Sequence, residues 1–109
     1  MNNVNLIGYV VKDLELKKYE QGELVQFNVA INDYNHKTKE KYTSFIEVIA
    51  FGAKAKIYTE YLKKGSKIAI EGKLNQSSYI NSEGKKIYKV KVIAERIEFL
   101  ESTIAVNNA

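Results

Sequence analysis

Apolar and polar positions alternate with a period of two over most of the chain, and one short stretch breaks that period. Val4, Leu6 and Gly8, followed by Val10 and Val11, form a β-rich opening in which Gly8 predicts a bulge or a close backbone approach. After a polar stretch from Lys17 to Glu23, with Gly22 as its turn residue, Val25, Phe27, Val29 and Ile31 alternate with Leu24, Gln26, Asn28 and Ala30. This second strand is expected to end near Ile31. Residues Asn32 to Lys41, NDYNHKTKEK, are polar, basic and rich in turn formers, which predicts a long hairpin loop. A third strand follows from Tyr42 to about Phe51.

The period then changes. Ala53, Ile57, Tyr58, Tyr61 and Leu62 recur at three- and four-residue spacing, predicting one apolar stripe on a helix from Ala53 to Lys64. Lys63 and Lys64 would sit in its last turn, at the negative end of the dipole, and Gly65 would stop it. Ile68, Ile70 and Gly72 to Leu74 make a fourth strand, where Gly72 permits the sharp bend that barrel closure needs. Gln76 to Val92 reads as an extended hairpin around Asn81, Ser82, Glu83 and Gly84. Its return arm alternates Tyr88, Val90 and Val92 with Lys89 and Lys91, one face apolar and the other basic. Ile93 to Leu100 forms a final strand.

This order predicts an all-β fold: a five-stranded Greek-key barrel of the oligonucleotide/oligosaccharide-binding (OB) type. One helix lies between the third and fourth strands, and a long extended hairpin between the fourth and fifth. No internal repeat or low-complexity linker interrupts it, so residues 1–101 are expected to form one domain and 102–109 a short disordered tail. At 109 residues and 45% apolar, the chain can bury one core. Cysteine is absent, which removes disulfides and thiolate metal sites and fits a reducing compartment. No apolar run approaches the roughly 20 residues that cross a bilayer, so no membrane association and a cytoplasmic location are expected.

Charge adds a direction. Residues 1–52 hold 6 basic against 7 acidic side chains, whereas residues 53–109 hold 11 against 6, so the formal +4 is concentrated in the second half. An anionic partner fits that imbalance. Lys37, Lys39 and Lys41 in the first loop, and Lys85, Lys86, Lys89 and Lys91 on the second hairpin, would flank the groove of such a barrel, with Lys73 beside it. Phe45 and Phe51 share strand parity with Glu47, opposite Ile46, Val48 and Ala50, so both rings should face outward. Tyr79, at a hairpin tip, has little core to join. Phe27, Tyr58, Tyr61 and Phe99 are expected in the core, and Tyr88 fits either role. His36 is the sole histidine, no glycine-flanked nucleophile accompanies it, and no phosphate loop or metal-ligand cluster is present, so no catalytic, metal or cofactor residues are assigned.

Five segments in order, NNVNLIG (2–8), FNVAIN (27–32), FIEVIAFG (45–52), YLKKGSKIAIEGKL (61–74) and YINSEGKKIYKVKV (79–92), resemble the bacterial single-stranded DNA-binding protein family. The resemblance implies a non-catalytic homotetramer of OB domains that wraps single-stranded DNA in replication, recombination and repair, associated with the nucleoid. It implies base stacking on Phe45, Phe51 and Tyr79, with Tyr34 or its neighbour Asn35 at a fourth position, and pairing of Met1 to Ile7 across a dimer. The chain departs from the family in lacking tryptophan and in carrying Ser77 and Ser78 where the family is often basic. The family's acidic C-terminal tip, through which replication and repair proteins are recruited, is absent from these 109 residues, which end STIAVNNA. The alternative reading is an OB-type interaction module of a replication or primosome assembly with weak DNA affinity. An RNA-binding OB domain shares the same physics.

Overall fold

The computed structural model describes residues 1–101; the segment expected as a tail, 102–109, lies outside the described residues. Its elements are β1 (Val4–Val10), β2 (Glu15–Tyr19), β3 (Gly22–Asn35), β4 (Glu40–Phe51), α1 (Ala53–Tyr61), β5 (Lys67–Ile80) and β6 (Lys86–Glu101). Hydrogen-bonded neighbours run β1-β5-β6-β4-β3-β2, and β1 also meets β3 at Tyr9 and Val10, which closes the ring. The β4–β6 pairing is parallel and the others are antiparallel. This is the OB barrel in its Greek-key order, with β2 lying outside the ring on the edge of β3.

Two glycines let the ring close. A Cβ at Gly8 would stand 2.7 Å from the carbonyl oxygen of Ala30, where β1 crosses onto β3. At Gly72 a Cβ would stand 2.1 Å from the carbonyl oxygen of Ile93, beside the bulge between Glu71 and Gly72. Both positions need the missing side chain for space, because backbone occupies the volume a methyl would take. Inside the ring, alternate residues point inward: Val25, Val29, Val48, Ile68, Ile70 and Val92 are almost wholly buried. Each contributes about 1.5–3 kcal/mol by leaving water, which is how a chain without disulfides holds its shape.

The structure departs from the sequence expectation in four places. The expected loop from Asn32 to Lys41 is mostly strand: β3 continues to Asn35, β4 begins at Glu40, and the turn is confined to residues 36–39. Polar side chains pair across it, since Thr43 Oγ1 donates to Asn32 Oδ1 at 2.9 Å and Tyr42 OH donates to Asp33 Oδ2 at 3.0 Å. These pairs support a ladder that has no core beneath it. Likewise, part of the polar stretch before Glu23 is the edge strand β2, whose Leu16 packs against the core.

The helix is shorter than expected, and its buried face differs in part. It ends at Tyr61, with Leu62 already extended at φ −93° and ψ 121°, so Lys63 and Lys64 lie beyond it and do not cap it. Lys64 N–H instead donates to Asp13 Oδ1 at 2.8 Å, and Gly65, at φ +90°, turns the chain into β5. Ala55 and Leu62 are buried and Tyr58 is half-buried, with its hydroxyl accepting from Ile97 N–H at 3.3 Å. Of the expected stripe Tyr58 and Leu62 do meet the core, whereas Ala53, Ile57 and Tyr61 face out and Ala55 takes their place. Tyr61 is 68% exposed and Phe99 47%, which removes both from the core to which they were assigned. Finally, the hairpin's return arm and the last strand are one element, β6, bent by the bulge rather than broken.

Candidate nucleic-acid interface

Strand parity assembles the outer face of the barrel. On β4 the residues of outer parity are Phe45, Glu47, Ile49 and Phe51, of which Ile49 is buried; on β3 their partners are Ala30, Asn28, Gln26 and Leu24. The parallel pairing of Ile49 with Ile93 continues the face onto β6, where Lys89 and Lys91 share its parity. The β5–β6 register then adds Lys73, Asn75, Ser77 and Tyr79, opposite Ile93, Lys91, Lys89 and Ile87. Four neighbouring strands, β5-β6-β4-β3, therefore carry one continuous surface.

The expected rings stand in solvent: Phe45 is 65% exposed, Phe51 44% and Tyr79 51%. Their positions follow from sheet geometry: Phe51 follows the buried Ala50, Phe45 precedes the half-buried Ile46, and Tyr79 lies on strand beyond the core. Tyr34 lies on β3 opposite Lys41 and is exposed, with its ring edge-on to His36 at 5.1 Å. Asn35, the competing match, instead builds the turn: its Oδ1 accepts from the N–H groups of Lys37 and Thr38.

The lysines separate into groups. Lys73, Lys89 and Lys91 belong to the outer face, and Lys89 Nζ lies 3.8 Å from Glu47 Oε2. Lys41 flanks Tyr34 on the first hairpin, and Lys37 and Lys39 occupy its turn, Lys39 at φ +60°. Lys85 is in the second turn, where its N–H donates to Asn81 Oδ1. Lys86 is on the opposite face of the second hairpin, its Nζ 5.5 Å from the Tyr88 ring centroid. Tyr88 and Val90, expected to form an apolar arm, are both exposed, and only Val92 reaches the core.

Sequence reasoning missed Tyr19. On β2 it packs edge-on against Phe51, with ring centroids 6.3 Å apart, and extends the aromatic end of the outer face onto a further strand. Reading Glu15 to Gly22 as a hairpin would have exposed it, because Lys17 and Tyr19 alternate with Leu16 and Lys18. Glu47 was seen only as a sign that its face is not core; the structure shows it clasped by Gln26 Nε2 as well as by Lys89.

At the tip of the first hairpin, Asp33 accepts from Tyr34 N–H at 2.8 Å and from Tyr42 OH. The backbone bond first, and the phenol second, hold its carboxyl below the usual value, while the bond to Asp33 raises the Tyr42 phenol. Among the described residues, no group of three or more His, Asp or Glu gathers as a metal site, and no helix is long and apolar enough to cross a membrane.

The structure is an OB barrel whose open outer face mixes exposed rings with ammonium groups, chemistry that suits an extended anionic polymer lying along a sheet. The chain belongs to the single-strand binding protein family, which it matches over residues 1–100. That membership places it among binding proteins rather than enzymes. It is 34% identical over 103 residues to single-stranded DNA-binding protein 1 of Staphylococcus aureus (strain Mu50), an alignment covering 93% of this chain and 66% of the relative. To the single-stranded DNA-binding protein of Halalkalibacterium halodurans it is 33% identical, over 93% of this chain and 61% of the relative. The chain thus spans about two thirds of the length of these relatives. A solved structure, the Plasmodium falciparum SSB complex with ssDNA, superposes with a TM-score of 0.81 at 20% identity, covering 93% of this chain and 96% of that one, and shows the shared fold.

Proposed function

We propose that the chain binds single-stranded DNA without strict sequence preference and protects it during replication, recombination and repair. The observation that carries this reading is the single outer face on which Phe45, Phe51 and Tyr79 are exposed among Lys73, Lys89 and Lys91. Aromatic stacking contributes about 1–3 kcal/mol per base and accepts all four bases, while lysines neutralise phosphates in a salt-sensitive way. Residues 1–101 act as the binding unit, and Tyr34, Lys37, Lys39, Lys41, Lys85 and Lys86 meet the strand at the hairpins. The similarity to bacterial relatives supports action in the cytoplasm on nucleoid DNA.

The working form is a homotetramer. Val4 to Gly8 pair on one edge with β5, and β3 takes up the other edge only from Tyr9, which leaves backbone donors and acceptors for a second copy. Light scattering tests this, and a monomer at all concentrations refutes it. Binding is tested by titrating the protein with oligo(dT) and with a duplex of equal length. Strong preference for the single strand is expected, and Phe45→Ala should weaken it with no loss of fold; equal affinity for both polymers refutes the reading.

A further inference from the structure

Resting on the reading that the outer face receives unpaired bases, we infer that Glu47 is a base-edge acceptor. It biases the groove toward bases bearing an amino group and against thymine. Glu47 lies on β4 between Phe45 and Phe51, two and four residues away on the same outward face. A strand rises about 3.3 Å per residue, so the carboxylate springs from roughly 7 Å along the strand from Phe45, within reach of the edge of a base lying on that ring.

The carboxylate is positioned in advance. Gln26 Nε2 donates to Oε1, and Lys89 Nζ approaches Oε2 at 3.8 Å. Two carboxylate oxygens offer about four acceptor directions, so these partners orient the group without exhausting it. Its side chain keeps 21% exposure. Its neighbours Gln26 and Asn28 border a cleft of about 270 Å³ that is also lined by Lys12, Asp13, Glu15 and Lys17, so the charges of that cleft are mixed and Glu47 stands outside it.

A carboxylate accepts hydrogen bonds and donates none. The amino groups of cytosine and adenine, and the N1–H and amino group of guanine, can donate to it. Thymine offers one N–H flanked by two carbonyl oxygens, which an anion repels. The same negative charge also repels every phosphate, but that effect is blind to the base. Affinity and base choice are therefore separable.

The test is a fluorescence titration of the 109-residue chain with oligo(dC) and oligo(dT) of equal length, with circular dichroism confirming the fold of each variant. Glu47→Ala should lower the ratio of dC to dT affinity by about fivefold, the discrimination expected of one base-edge hydrogen bond. Glu47→Gln should lower it as well, because its amide can donate to thymine O4. Lys89→Ala, with Glu47 intact, should leave dC favoured relative to the Glu47 variants. A uniform change on both strands, with the ratio fixed in both Glu47 variants, overturns the inference and leaves Glu47 as a phosphate-repelling anchor for Lys89. Failure of the unaltered protein to bind either strand overturns instead the reading on which the inference rests.

Discussion

The two long hairpins leave the barrel as pairs of strands with no core beneath them, yet they are held in different ways. The β3–β4 hairpin is laced by its own polar side chains: Asn32 with Thr43, Asp33 with Tyr42, and Asn35 across the turn. In the β5–β6 hairpin, Asn81 organises the turn by accepting from Glu83 and Lys85 N–H, but among the described residues its arms are joined by backbone pairing alone. No side chain crosses between those arms among the described residues: Tyr79, Lys89 and Lys91 lie on one face, Lys89 turned toward Glu47 of β4, and Leu74, Ile80, Tyr88 and Val90 are exposed on the other, Tyr88 beneath Lys86 of its own strand. The first hairpin is tied arm to arm by side chains, whereas the second leaves most of its side chains in solvent. Stability and ligand binding should therefore respond differently at the two.

The largest expected effect lies at the root of the second hairpin. Gly72→Ala drives a methyl group into the backbone of Ile93 and should cost about 3 kcal/mol, read as a lower urea midpoint with the slope unchanged. Because the second hairpin depends on its backbone register, the destabilisation should come with faster amide exchange along both of its arms. A variant as stable as the parent would show that the strands slide apart there at no cost.

At the tips the contrast moves to binding. Tyr79→Ala should weaken oligo(dT) binding by about 1–3 kcal/mol, whereas Tyr34→Ala, whose ring already meets His36, should cost less than about 1 kcal/mol. The reverse order would make the first hairpin the main platform. The lysines extend the same comparison to salt. Replacing Lys89 and Lys91 together by alanine should flatten the plot of log affinity against log salt by about 0.7 for each phosphate that is no longer neutralised. Replacing Lys37 and Lys39 should flatten it less, since both lie in the turn rather than on the outer face.

The barrel was legible in the sequence wherever a strand has the core on one side. Val25, Phe27 and Val29 announce their parity because burial demands it, and so do Val48 and Ala50 against Phe45 and Phe51. Where the core is absent, that signal is absent too. Asn32 to Asn35 and Glu40 to Lys41 read as loop because polar cross-strand pairs leave no hydrophobic period. Tyr19 was missed on β2 for the same reason. The helix stripe was right at Tyr58 and Leu62 and wrong at Ile57 and Tyr61, which are large and apolar yet stand in solvent, because the small Ala55 is what fits against the barrel. Glu47 was visible as an outward residue, but its partners depend on register: Gln26 reaches it diagonally across the β3–β4 hairpin and Lys89 from β6 across the parallel pairing.

The smallest effect distinguishes the hairpins by pH. Asp33 is held below its ordinary value of 3.8 mainly by Tyr34 N–H and secondarily by Tyr42 OH, and it belongs to the lacing of the first hairpin alone. A lowered carboxyl contributes its stabilisation above 3.8, and that contribution disappears as pH falls through the lowered midpoint. Amide resonances of Tyr34 and Tyr42 should therefore shift in acid while those around Asn81 stay in place. Tyr42→Phe should move the Asp33 midpoint upward but not fully to 3.8, because the stronger backbone bond from Tyr34 survives the substitution. A midpoint that returns all the way would assign the shift to the phenol and make the cross-strand pair, rather than the local turn of backbone, the bond that fixes Asp33.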